Sequence, residues 1–483
     1  MKKIFSILLV VLMTISLNSC KGFLDQYPTD EVVDKDALTT IEDAGVAVNG
    51  MYTLLKYYTV YGSNMIMMGD MRADLLYPRL VSGTGSIVYT YEYEPSQNSY
   101  FSMWNYYYKI LNRTNSVIKN IDALEVPSNK EAVKNDYLGQ AYALRALCFF
   151  DLARLYGKPY LYDNGASLGA AIIKTPVAPS ESHVERSSVA ATYGQVLEDL
   201  GVALPLLSTE KNKGHMNYWA AKFLQAKVYL YMGRYGDALT AIEDVIDHSP
   251  YFLVPNSEYL ASWSVEGNSE SIFEGLVNMQ SSIDGDNGFG GGFYYYLWFG
   301  TSNTGASVIP TKQWRDLFEN TPNDIRKNWI AYDDPVTGYK KTGEYWLRKF
   351  TGNEGLTAFL NNPRIMRLAE AYLIASEAAL EERNQTKADH YLLQVVQRAD
   401  PTVSAVTATL DRIREERAKE LIGEGDRFFD LMRRGGTYRR DNTDPHEYNS
   451  EVLTWDNDKV ALPISHSERV IYPELQQNPG YKN

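Results

Sequence analysis

The 483-residue sequence carries 47 basic and 60 acidic side chains, a formal net charge of −13, and only two cysteines. That acidity speaks against a nucleic-acid partner, and the length exceeds the roughly 250–300 residues that one compact core holds. Several subdomains or an elongated helical array are expected.

The chain opens with Lys2 and Lys3, an apolar run over residues 4–17, and then Leu17, Asn18, Ser19 and Cys20. A basic start, a short apolar middle and small residues at the cut describe an export signal over residues 1–19. The run is too short to span a bilayer, which takes about 20 apolar residues. The tetrad ending at Cys20 is similar to a bacterial lipobox, in which that thiol is acylated and becomes the new N-terminus; the plainer alternative is ordinary secretion with a spare thiol. The other cysteine, Cys148, sits in an apolar helical stretch and reads as a small buried thiol, so no disulfide is expected once Cys20 carries lipid. Residues 20–36 are polar, as suits a tether, and residues 37–483 read as one folded domain.

Two early stretches mix aromatic rings with hydrogen-bonding side chains. One, GDMRADLLYPRL, holds Asp70, Arg72, Asp74 and Arg79; the next holds Tyr89, Tyr91 and Tyr93, which would share one face if extended. Residues 100–124 then show apolar positions every three or four residues at Trp104, Tyr108, Leu111 and Ile118, a helix with Trp104 on its core side. Residues 135–159 predict a further helix with Ala143, Ala146 and Phe150 in step, and its partner is expected at residues 192–207, beyond a loop.

Residues 218–250 carry the clearest spacing. Ala226, Tyr229, Gly233, Tyr235, Ala238, Ile242, Val245 and Pro250 fall at the offsets of the tetratricopeptide helix–turn–helix repeat of about 34 residues. Small Ala226 and Ala238 let two helices approach, Gly233 turns the chain, and Pro250 stops the second helix. A third, fainter pair follows at residues 361–399 with Ala388, Leu392 and Val395 at helical spacing. Helical repeats are thus expected over about 100–250 and 361–435.

Between residues 251 and 360 the texture changes to glycine, asparagine, aromatic residues and short apolar runs, which predicts an inserted, loop-rich cap with a few short strands. Such an insertion on a helical scaffold is a common place for a binding surface. Within it, residues 288–300 read GFGGGFYYYLWFG. If the second half is extended, Tyr294, Tyr296 and Trp298 share one face. Trp314, Trp329 and Trp346 follow. Sugar rings pack axial C–H faces on Trp and Tyr, and their hydroxyls need Asp, Asn, Arg or Gln to replace lost water. The ligand-binding candidates are therefore Asp70, Asp74, Arg79, Tyr91, Tyr93, Tyr294, Tyr296, Trp298 and Trp314.

Chemistry beyond binding finds little support. The six histidines are scattered without the i,i+4 spacing of a helical zinc site, and there is no Gly-x-Ser-x-Gly elbow or Walker-type loop. The run DGDNG at residues 284–288 begins like a calcium loop but has Tyr295 at the twelfth position, where a bidentate Glu belongs. No catalytic residue, metal or cofactor is assigned.

Near the C-terminus, residues 410–436 read LDRIREERAKELIGEGDRFFDLMRRGG. Ile413, Glu416, Arg417, Glu420, Leu421, Glu424, Gly425, Arg427, Asp430, Leu431, Arg433 and Gly435 resemble the C-terminal signature of the SusD/RagB family of Bacteroidetes outer-membrane lipoproteins. The tail over 436–483, with Leu-Pro-Ile and Asn-Pro-Gly-Tyr, is similar to that family's ending, and the early FLDQYPTD and the degraded repeats follow its order. Charges three apart in the motif, Glu424 with Arg427, Arg427 with Asp430 and Asp430 with Arg433, are expected to pair along a helix face, with Leu421, Phe428 and Leu431 against the repeats.

The resemblance implies a mainly α fold of tetratricopeptide-like pairs with the loop-rich cap inserted. It implies a lipid-anchored protein on the outer face of the outer membrane that captures oligosaccharide and delivers it to a SusC-like TonB-dependent transporter without breaking covalent bonds. A peptide or other nutrient as ligand, a tetratricopeptide scaffold for envelope assembly, and a glycosidase remain the alternatives.

Overall fold

Thr40 starts the first helix by accepting the Asp43 N–H while the Asp43 carboxylate reaches back to the Thr40 N–H, a reciprocal cap. The computed structural model describes residues 38–79, 84–96, 102–176, 184–212, 214–277, 308–332, 345–350, 352, 361–440 and 453–482. This first helix, α1 (Ile41–Leu55), leads through a π-helical turn at Met67–Met71 into a short strand, β1 (Leu76–Pro78).

Two long helices follow, α2 (Met103–Asp122) and α3 (Glu131–Tyr156). The second half of α3 is buried all round, from Ala143 to Ala153, because α1, α2 and the next helix, α4 (Val189–Ala203), all pack on it. Helix α3 carries no one-sided polar pattern because it runs through the core rather than over it. Cys148 is a free, buried thiol there.

The strong repeat forms the hairpin of α5 (Tyr218–Tyr231) and α6 (Tyr235–His248). Asn217 caps α5 by accepting the Ala220 N–H, Ala226 and Ala238 are fully buried where the helices meet, and Gly233 makes the turn at φ +72°. That backbone conformation favours glycine. The chain then forms β2 (Ser271–Glu274), β3 (Val308–Pro310), the short helix α7 (Lys312–Asp316), and the hairpin of β4 (Ile330–Tyr332) and β5 (Tyr345–Leu347). The last strand, β6 (Arg364–Arg367), runs straight into α8 (Leu368–Glu381), which pairs with α9 (Gln385–Ala399) and packs against α6.

Among the described residues the strands make three two-stranded antiparallel sheets, β1 with β3, β2 with β6, and β4 with β5. The fold is mainly α, with helical pairs and a strand-bearing, irregular cap, as read. The cap is stitched to the scaffold at two points, where β2 and β3 pair with strands outside it. Helix α10 (Leu410–Leu421), capped by Thr409, and the short α11 (Arg427–Met432) complete the motif region, with Leu421, Phe428 and Leu431 buried. Among the described residues no helix is long and apolar enough to cross a membrane.

The motif charges depart from the i,i+3 expectation. Asp430 does pair with Arg433 at 2.7 Å. Arg427 instead grips Asp74, and Glu424 pairs with Lys349 and Arg367, more than fifty residues away in sequence. Glu424 and Arg427 follow α10 and face the core, so they find partners across it rather than along a solvated face, whereas on the more exposed side of α10 Arg412 pairs with Glu415 and Glu416, and Lys419 with Glu415, at helical spacing.

Candidate functional site

Five of the nine ligand-binding candidates are core residues, which corrects their assignment to a sugar surface. Asp70 is wholly buried in the π-helical turn, and its carboxylate accepts the N–H groups of Gly425 and Arg427 at 3.1 Å each. Burial pushes its pKa up to about 7, while those N–H groups pull it back down. Asp74 is 2% exposed and holds Arg427 through two hydrogen bonds of 2.9 Å.

The tyrosines at 89, 91 and 93 do not form an extended row. A short helix, Thr84–Tyr89, is followed by a turn in which Tyr91 has φ +58°, and all three rings are buried. The Tyr91 hydroxyl meets that of Tyr438 and donates to the Arg72 carbonyl at 2.5 Å, and Tyr93 packs edge-on against Tyr91. Trp314 is fully buried, with its Nε1–H donated to the Ala418 carbonyl of α10 at 2.9 Å. Arg79 is partly exposed just beyond β1. Tyr294, Tyr296, Trp298 and the lipidation candidate Cys20 lie outside the described residues.

The buried stretch around Asp70 is a junction. Arg72 donates to the carbonyls of Lys459 and Val460, and Arg440 returns the clasp by donating to those of Met71, Arg72 and Ala73. Gly69 sits so close to Gly425 that an added Cβ would lie 1.9 Å from the Gly425 carbonyl oxygen. Composition alone drew attention to this stretch, because acids, arginines and tyrosines serve a polar core junction as well as a sugar site.

An aromatic surface appears instead on the β4–β5 hairpin. Tyr332 and Tyr345 face each other as a cross-strand pair, 53% and 37% exposed, with ring centres 4.9 Å apart and planes tilted by 54°. The Arg315 guanidinium lies over the Tyr345 ring at 4.0 Å. Arg315 is carried by α7, which is fixed from several sides. Thr311 donates its hydroxyl to the Asp74 carbonyl and caps the helix, and Trp314 is bonded to α10. Two half-exposed tyrosine faces beside a guanidinium offer C–H contact and hydrogen-bond donors together.

Sequence reading missed this pair because neither tyrosine lies in an aromatic run. The available signal was faint: two short apolar stretches, residues 330–332 and 345–347, separated by a polar segment with Pro335 and Gly338.

Beneath the hairpin lies a dense ionic core. Glu420, fully buried, accepts from Arg326 at 3.0 Å, Arg367 at 3.0 Å, Arg398 at 2.6 Å and the Tyr259 hydroxyl at 2.5 Å. Burial by itself would raise its pKa, but the three arginines hold it well below the usual carboxylate range. A carboxylate fixed in this way cannot exchange protons near neutrality as a general acid or base must. Among the described residues no three His, Cys, Asp or Glu side chains converge as a metal site.

Comparison with known proteins bears on the whole chain. Residues 292–481 match the SusD family model, and residues 23–230 match a model described as starch-binding associating with outer membrane. A SusD superfamily protein of known structure from Bacteroides thetaiotaomicron VPI-5482 is 34% identical, with a TM-score of 0.83 across 91% of this chain and 100% of that one. Surface glycan-binding protein A from Bacteroides fluxus shares the fold at 23% identity, with a TM-score of 0.74 across 92% of this chain and 100% of its own. SusD-like protein P25 of Formosa agariphila is 23% identical in an alignment spanning 100% of this chain and 99% of its own length. The protein whose polar core, helical pairs and aromatic cap are described above thus belongs to the SusD family.

Proposed function

We propose that this protein captures oligosaccharide at the outer face of the outer membrane, held there by lipid on Cys20, and passes it to a SusC-like TonB-dependent transporter without cleaving it. The observation that carries the reading is the exposed Tyr332–Tyr345 pair with Arg315 beside it, on a cap supported by a rigid ionic core. The family description that names starch binding and outer-membrane association supports it, as does the shared fold of a surface glycan-binding protein. Tyr294, Tyr296 and Trp298, close in sequence before β3, are proposed to extend the platform, and Arg79, just after the strand that pairs with β3, to hydrogen-bond sugar hydroxyls.

The binding step needs no proton transfer. Apolar sugar faces leave water for the tyrosine rings, worth about 25 cal/mol per Å² of apolar surface buried, and the polar groups around them fix orientation. Screening the wild-type protein against oligosaccharide and peptide arrays tests the ligand class. The expected result is binding to one group of glycans and none to peptides; peptide binding alone would contradict the proposal.

A further inference from the structure

The segments entering and leaving the tyrosine hairpin converge on the C-terminal end of α10. On the entering side, Arg326 binds Glu416 at 2.5 Å and Glu420 at 3.0 Å, besides its near neighbour Asp324. On the leaving side, Lys349 is completely buried. Its ammonium donates to the Glu420 carbonyl at 2.8 Å, the Ile422 carbonyl at 2.9 Å and the Glu424 carboxylate at 2.6 Å.

Two indole faces line the rest of that pocket. Nζ of Lys349 lies 4.4 Å from the Trp263 ring centre and 4.6 Å from that of Trp329. Aromatic faces attract cations, and the last carbonyls of a helix carry the negative end of its dipole. Three N–H donors meet three oxygen acceptors, so the hydrogen-bonding capacity of the ammonium is filled. Burial pulls its pKa down to about 8, with Glu424 opposing, so it is charged at neutral pH. Between the two sides, the Arg348 N–H donates to the Trp329 carbonyl at 2.7 Å and closes the root of the hairpin.

We propose that Lys349 is a positioning residue for the tyrosine platform: its ammonium clamps the root of the β4–β5 hairpin to the end of α10 and so fixes Tyr345 against Tyr332. Tyr345 lies four residues up the chain, about 13 Å at strand spacing, so Lys349 acts through the hairpin rather than on a ligand. A compact ammonium suits the converging acceptors between two rings, whereas the planar fork of arginine does not. The functional consequence rests on reading the tyrosines as a sugar platform; the clamp itself does not.

Hydrogen exchange of the purified protein, free of any sugar, tests the clamp. In Lys349→Ala, peptides covering residues 330–332 and 345–347 are expected to exchange about tenfold faster or more, since several acceptors lose their donor, while the α5–α6 hairpin keeps its wild-type rate. Methylammonium added to this variant should slow the hairpin back toward wild type. If the alanine variant fails to fold, Lys349→Gln keeps the volume while removing the charge and is read in the same way, without the rescue. Wild-type exchange in the hairpin, acceleration spread equally over α5–α6, or indifference of the alanine variant to methylammonium would each overturn the proposal. Since no sugar enters the measurement, failure of the platform reading leaves its outcome standing.

Discussion

Asp70 is a residue whose chemistry is set by its environment. A lone aspartate in the sequence carries no sign that it will be buried and bonded to N–H groups more than 350 positions away, at Gly425 and Arg427. Its acid, arginine and tyrosine neighbours were legible as a polar cluster, but whether such a cluster faces water or the core is decided by tertiary contacts. The raised pKa, about 7 against an ordinary 3.8, gives a signed prediction. The folded state holds this proton more tightly than the unfolded one, so the contribution is fully present below the unfolded value and is lost as pH rises through about 7. Across that window the group should cost about 1.4 kcal/mol of stability per pH unit. Comparing denaturant unfolding of wild type and Asp70→Asn from pH 4.5 to 8 checks it: the wild type should lose stability relative to the variant as pH rises. Parallel curves would contradict the assignment.

Helix α10 shows how far an element can be read from its own residues. Its cap at Thr409, its length and its apolar positions follow from local sequence, as does the α5–α6 hairpin from Ala226, Gly233 and Ala238. The partners of its buried Glu416 and Glu420 do not, because they come from β6, α9 and the segment before β4, and of the three pairs expected in the motif only Asp430–Arg433 forms. Glu420 is the hinge of this network, neutralising parts of Arg326, Arg367 and Arg398 at once. Glu420→Gln should leave buried guanidinium charge uncompensated and cost about 3–5 kcal/mol, measurable as a drop in the midpoint of urea unfolding. A loss below about 1 kcal/mol, the size of an exposed pair, would mean that the network is not acting as a buried one.

At the scale of the molecule, helical scaffold and cap are joined through the motif region: α10 holds α7 by Trp314, and holds both sides of the tyrosine hairpin by Arg326 and Lys349. The mainly α architecture and the family were legible because helical periodicity and the motif are local patterns. The surface pair Tyr332 and Tyr345 was not, since a hairpin brings together residues that look ordinary one at a time. In the function proposed, these two rings form the platform on which an oligosaccharide lands. Calorimetric titration of wild type and the Tyr332→Ala/Tyr345→Ala double variant, with the glycan selected from the array, tests it most directly. Affinity is expected to fall at least about tenfold, the equivalent of 1.4 kcal/mol, while thermal stability stays near wild type; unchanged affinity in a folded double variant would rule the platform out.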